Sequence, residues 1–195
     1  MRILANRGAS PWMAIVCILS LLIGAPVSAE DETSTPIVDF GADSSPWRSV
    51  DDDVMGGISS SRMRIEGDAA VFEGRLSLEN NGGFASVRSG ILQQDLGGHK
   101  GIRLRVKGDG QKYQFRIRTD SAFDGPSYQM TFQTRSEEWI EVELPFSEFM
   151  AAYRGRQLPD HPPIDSGNIA TVGFLIADKQ EGDFRLIIDW VKAYR

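Results

Sequence analysis

Ile102-Arg103-Leu104-Arg105-Val106-Lys107, then Gly108-Asp109-Gly110, then Tyr113-Gln114-Phe115-Arg116-Ile117-Arg118: this stretch decides the fold. Apolar and polar residues alternate through both halves. On an extended chain Ile102, Leu104 and Val106 share one face, as do Tyr113, Phe115 and Ile117, and the basic residues point the other way. Gly108-Asp109-Gly110 between them is a turn signal. A period of two marks half-buried antiparallel strands. The pattern repeats outward from there. Downstream, Tyr128 to Arg135 and Ile140 to Leu144 alternate; upstream, Arg62 to Glu66, Val71 to Leu78 and Phe84 to Ser89 are further strand candidates, with Ile37 to Phe40 a first edge strand. Thr171 to Ala177 and Phe184 to Val191 are apolar on both faces in places, which suits strands covered on two sides. Asn80-Asn81-Gly82-Gly83, Gly97-Gly98, Asp124-Gly125-Pro126 and Glu181-Gly182-Asp183 supply turns. Only Pro145 to Ala152 reads as a helical turn. Strands at this regular spacing predict an all-β sandwich or barrel.

The remaining composition sets limits. The chain has 195 residues, a net charge of −6, 41% hydrophobic and 25% charged residues. That describes an ordinary globular domain. One Cys excludes a disulfide framework and a Cys-based zinc finger, and two His, His99 and His161, exclude a His-rich metal site. The acidic balance argues against nucleic acid as a partner.

Residues 1–29 stand apart. Arg2 and Arg7 precede a nearly continuous apolar run from Trp12 to Ile23, and Val27-Ser28-Ala29 offers small residues for cleavage. This is the layout of a secretory signal peptide, so we expect cleavage near Ala29 and an exported protein, periplasmic or secreted. An uncleaved N-terminal anchor is the alternative, although the run is short for a bilayer span. A mitochondrial presequence fits less well, being amphipathic and Arg/Ser-rich. Residues 30–38 read as an acidic leader and 39–195 as a single domain.

An ordered set of short motifs runs through that domain: Asp51-Asp52-Asp53-Val54-Met55-Gly56-Gly57, Phe72-Glu73-Gly74, and Asn81-Gly82-Gly83-Phe84-Ala85-Ser86-Val87-Arg88. Gly108-Asp109-Gly110 with Tyr113, Tyr128-Gln129, Trp139, Leu144-Pro145-Phe146, Phe149, Ile169, Gly173-Phe174 and Ile188-Asp189-Trp190 follow. In order and spacing they resemble the complex I intermediate-associated protein 30 family. The resemblance implies a galactose-binding-like jelly-roll sandwich. Mitochondrial members of that family are assembly factors for respiratory complex I, and the family has no accepted catalytic residues. It implies a non-catalytic binding module with a protein partner, such as a membrane complex. The alternative is an extracytoplasmic carbohydrate-binding module with a glycan ligand.

The candidate ligand- or partner-binding residues are Asp52, Asp53, Met55, Arg88, Asp109 and Tyr128. Adjacent carboxylates at Asp51 to Asp53 suit a structural calcium ion, or else one caps a turn or pairs with Arg88 while the others are solvated. No other cofactor is expected. Arg88 either grips a carboxylate or sugar hydroxyls, or forms an internal pair with Asp53 or Asp109. Arg103, Arg105, Lys107, Arg116 and Arg118 form one basic stripe if their strands pair. That stripe would meet an anionic partner, or be a solvated face balanced by Glu141 and Glu143. Of the large aromatics, Trp47, Tyr128 and Trp139 are ligand-stacking or core residues, and Trp190 belongs with the core. No Gly-x-Ser-x-Gly, His-Glu-x-x-His or phosphate-loop motif is present, so no enzyme is expected.

Overall fold

The computed structural model describes residues 34–38, 40, 46–122 and 124–195. The segment read as a signal lies outside them. The strands are β1 (Thr35–Val38), β2 (Arg48–Ser49), β3 (Ser60–Glu66), β4 (Ala69–Leu76), β5 (Ala85–Arg88), β6 (Gly101–Lys107) and β7 (Lys112–Arg118). They continue as β8 (Ser127–Gln133), β9 (Trp139–Pro145), β10 (Met150–Tyr153), β11 (Arg156–Gln157), β12 (Thr171–Ile176) and β13 (Gly182–Tyr194). Two antiparallel sheets result. The six-stranded sheet runs β3-β4-β13-β6-β9, with β1 also on β13; the seven-stranded sheet runs β11-β10-β8-β7-β12-β5-β2.

The alternating apolar residues meet between the sheets, as a sandwich requires. Ile102, Leu104 and Val106 of β6 are buried from one side, and Tyr113, Phe115 and Ile117 of β7 from the other. Aromatic rings cross the interface: Tyr113 lies 6.3 Å from Phe72 of β4 and 6.5 Å from Phe184 of β13. Every residue of β12 is buried, in keeping with its two-sided apolar sequence. The fold is the β-sandwich that the strand pattern and the resemblance lead to.

Four expectations need correction. Pro145 to Ala152 is not one helical turn. Only Phe146–Glu148 is a 3-10 turn; Phe149 is already extended, and Met150–Tyr153 pairs with β8. Ala151 and Ala152 are both small and both buried, so no alternation marks the strand. Second, the first edge strand is Thr35–Val38 rather than Ile37 to Phe40, and it pairs with β13. Third, Trp190 leaves the face of Phe184, Leu186 and Ile188. The β6 register shifts between Ile188 and Trp190, and one extra residue reverses every later side chain. Val191 takes the buried position, and Trp190 is half-buried with Lys192 Nζ 4.8 Å from its ring centre. Fourth, β6 and β7 do not pair. They lie in opposite sheets, so the five basic residues divide between the two outer faces of the sandwich.

Candidate functional site

The acidic run is internal wiring. Asp52 is fully buried in a 3-10 turn, Asp52–Met55. Its carboxylate accepts hydrogen bonds from Ser59 N (3.0 Å), Ser59 Oγ (2.6 Å), Gly83 N (2.7 Å) and Phe84 N (3.3 Å). Burial alone would push the Asp52 carboxyl up, but these donors prevail and hold it below the usual carboxylate range. Asp51 accepts from Ser61 N and Oγ and from Ser86 N. There burial prevails, with Asp52 nearby, and the Asp51 carboxyl is raised. Two glycines of the motif follow from this. A Cβ on Gly57 would stand 2.3 Å from Asp52 Cγ, and one on Gly82 2.7 Å from Asp52 Oδ2. The carboxylates of Asp51 and Asp52 thus tie the 51–59 turn to β5 and the 79–84 loop. Among the described residues no group of three or more His, Cys, Asp or Glu is disposed to hold a metal ion. Asp53 and Met55 are exposed on the rim of the turn.

Asp109 and Tyr128 also hold the fold together. Asp109 Oδ2 accepts from Tyr113 Oη (3.0 Å), Gln111 Nε2 (3.1 Å) and Arg185 N (2.8 Å), tying the β6–β7 turn to β13. Burial foremost, and the Asp109 charge next to it, push the Tyr113 hydroxyl up. Asp109 lines an open groove with Arg62, Glu73, Asp183 and Arg185. Tyr128 points inward, and its hydroxyl donates to the Pro162 carbonyl at 3.0 Å, anchoring the 158–165 loop.

Arg88 belongs elsewhere. The strand register sets Arg88 beside Gly173, Gly173 beside Arg116, Arg116 beside Gln129 and Gln129 beside Met150. This row crosses the outer face of the seven-stranded sheet. Arg118 pairs with Thr171 one row away. Arg88, Arg116, Arg118, Ser127, Thr171 and Gly173 surround a small cleft of ≈ 30 Å³. Three buried polar atoms there have no hydrogen-bond partner: Arg116 Nε, Arg118 Nη1 and Thr171 Oγ1. Burial first, then the neighbouring Arg118 and Arg88 charges, pull the Arg116 guanidinium down to about 10. The same causes, burial and Arg118, lower Arg88, with Asp124 acting against them. The six expected site residues therefore do not converge. The grouping of Arg88 with Arg116 and Arg118 is legible only from strand order. Its one sequence signal is Gly173, a glycine inside an otherwise apolar strand.

The other outer face is neutralised. Arg103 pairs with Glu143 at 2.7 Å, Arg105 with Asp189, and Lys107 with Glu137 at 3.3 Å. Trp139, 40% exposed, lies beneath this set, with Arg105 Cζ 4.9 Å from its ring centre. On β6 the solvated, charge-balanced reading of the basic residues holds.

Comparisons with known proteins agree with this architecture. The family model of complex I intermediate-associated protein 30 matches residues 38–188. An uncharacterized protein of Schizosaccharomyces pombe is 33% identical over 75% of this chain and 77% of its own length. The mitochondrial complex I intermediate-associated protein 30 of Mus musculus is 28% identical over 76% of this chain, which spans about half (52%) of the mouse protein. Among solved structures, a family 11 carbohydrate-binding module of Clostridium thermocellum, in complex with a β-1,3-1,4-mixed-linked tetrasaccharide, superposes with a TM-score of 0.63. It is 20% identical, covering 83% of this chain and 95% of the module, a likeness of fold. Several relatives, the mouse protein among them, are named as mitochondrial. This overturns the expectation of an exported, periplasmic or secreted protein. Residues 1–29 contain two arginines and no acidic residue. Presequences are likewise basic and acid-poor, so charge does not separate the two signals.

Proposed function

The chain belongs to the complex I intermediate-associated protein 30 family, and from that premise we propose that it is a non-catalytic protein-binding module with an assembly-factor-like role in mitochondria. Its docking surface is the arginine-lined cleft on the outer side of the seven-stranded sheet. The observation that carries this reading is the cleft there, where buried arginine and threonine donors lack acceptors. Buried polar groups are normally satisfied by protein or by ordered water, so this group of donors marks a place where an acceptor from outside the chain binds well. The name of the mouse relative supports the assembly-factor role and the location.

The fold likeness alone supports the carbohydrate-binding alternative, and the face itself does not favour it. Sugar sites stack pyranose rings on exposed aromatic side chains. Among the described residues, the outward positions of β5, β12, β7 and β8 carry Arg, Ser, Thr, Gly, Leu, Gln and Lys. The exposed Trp139 stands on the opposite sheet.

Cross-linking of the full chain in intact, fractionated mitochondria tests the proposal. A discrete protein adduct of fixed stoichiometry is expected in the mitochondrial fraction. Retention on a glycan matrix, with no protein adduct, would refute the reading.

A further inference from the structure

The cleft above Gly173 is built for one small acceptor group. Gly173 leaves its floor without a side chain between Arg88 and Arg116. One edge of Arg116 is fixed, since its Nη2 donates to Gln129 Oε1 (3.0 Å) and Gln114 Oε1 (3.2 Å). Its Nε stays unpartnered, as do Arg118 Nη1 and Thr171 Oγ1. The internal acids that act on Arg118 are Asp120 and Asp124. Asp124 is held by Arg154 Nη2 at 2.7 Å and Tyr153 Oη at 3.0 Å, and Asp120 accepts from the Ala122 amide at 3.0 Å. Both acids favour the charged form of Arg118 from a distance, yet among the described residues neither gives Arg118 Nη1 or Arg116 Nε a hydrogen-bond partner.

The two unpartnered guanidinium N–H groups only donate, so the partner that suits them best is an acceptor. A sugar hydroxyl or an amide would bring donors of its own into a cluster of donors. A carboxylate brings two acceptor oxygens in a plane, the geometry that guanidinium groups match. Phosphate is the competing anion, and the titration below separates the two. We propose that this cleft receives the carboxylate of an aspartate or glutamate side chain presented by the docking protein, an assignment that rests on the docking reading above. Burial beside two other cations disfavours the charged form of Arg116, and an incoming anion relieves that cost.

The test is an NMR titration of the full chain with blocked Gly-Glu-Gly, blocked Gly-Gln-Gly, sodium glutarate and inorganic phosphate at matched ionic strength. The glutamate peptide is expected to shift the Arg116 Nε–H resonance and to bind at least about tenfold tighter than the glutamine peptide. In Arg116→Gln that ratio is expected to fall to about one with the amide spectrum still folded. Thr171→Val, which removes a single donor, is expected to reduce the ratio. Equal binding of the two peptides, or a ratio unchanged in Arg116→Gln, overturns the carboxylate site. Tighter binding of phosphate overturns the choice of carboxylate, and tighter binding of glutarate overturns the protein source. Carboxylate selectivity that depends on Arg116, with no protein captured in mitochondria, overturns the docking reading instead.

Discussion

Asp52 shows how a motif that looks like a site can be the frame of the fold. In sequence it is one of three adjacent carboxylates. In the folded chain its partners, Ser59, Gly83 and Phe84, come from two different loops. Their convergence was not legible, because nothing in the Asp run itself says which amides turn toward it. Replacing Asp52 by Asn puts an amide donor against donors. We expect a loss of about 2–4 kcal/mol in urea unfolding, since buried donors lose their acceptor. Arg116 behaves in the opposite way. Arg116→Met removes a cation whose burial disfavours its charge and keeps much of the side-chain volume. The thermal midpoint is expected to rise in this variant even as the Glu-over-Gln selectivity disappears, because functional sites retain groups that cost stability. A lower midpoint would show that Arg116 holds the sheet together.

Strands were the most legible elements, because alternation and turn glycines point the same way along β6, β7, β8 and β9. β10 was hidden by two buried alanines, and the end of β13 by a bulge that reverses its faces after Ile188. Neither feature leaves a trace in a period-two reading. The β3–β4 pair carries a prediction of its own. Glu73 accepts from Arg64 Nε (2.9 Å) and from Arg62 Nε (2.9 Å). The Arg64 hydrogen bond foremost, with Arg62 aiding and burial opposing, holds the Glu73 carboxyl down at about 2. A lowered carboxyl stabilises the fold above its ordinary range, and that contribution is lost as pH falls through about 2. Arg64→Gln should therefore lower stability slightly at neutral pH, since solvent screens this pair. The gap from the unaltered protein should close as pH falls toward about 2, read as the urea midpoint across a pH series.

At the scale of the whole molecule, two-sheet topology decides which charges act together. One basic stripe on β6 and β7 is what the sequence suggests, and the sandwich divides it. Arg103, Arg105 and Lys107 meet acids on their own face. Arg116 and Arg118 join Arg88, which lies about 30 residues earlier in the chain, on the other. Long-range strand order of this kind is set by packing between sheets, not by local pattern. The two faces make an internally controlled experiment: capture of protein partners from mitochondria by the full chain carrying either Arg118→Glu or Arg103→Glu. Arg118→Glu should reduce capture at least about tenfold, as expected when like charges face each other across a docked pair. Arg103→Glu should leave capture within about twofold, since Arg103 lies on the opposite sheet, paired with Glu143. Equal capture by both variants, or loss only in Arg103→Glu, would contradict docking through the arginine-lined face of the seven-stranded sheet.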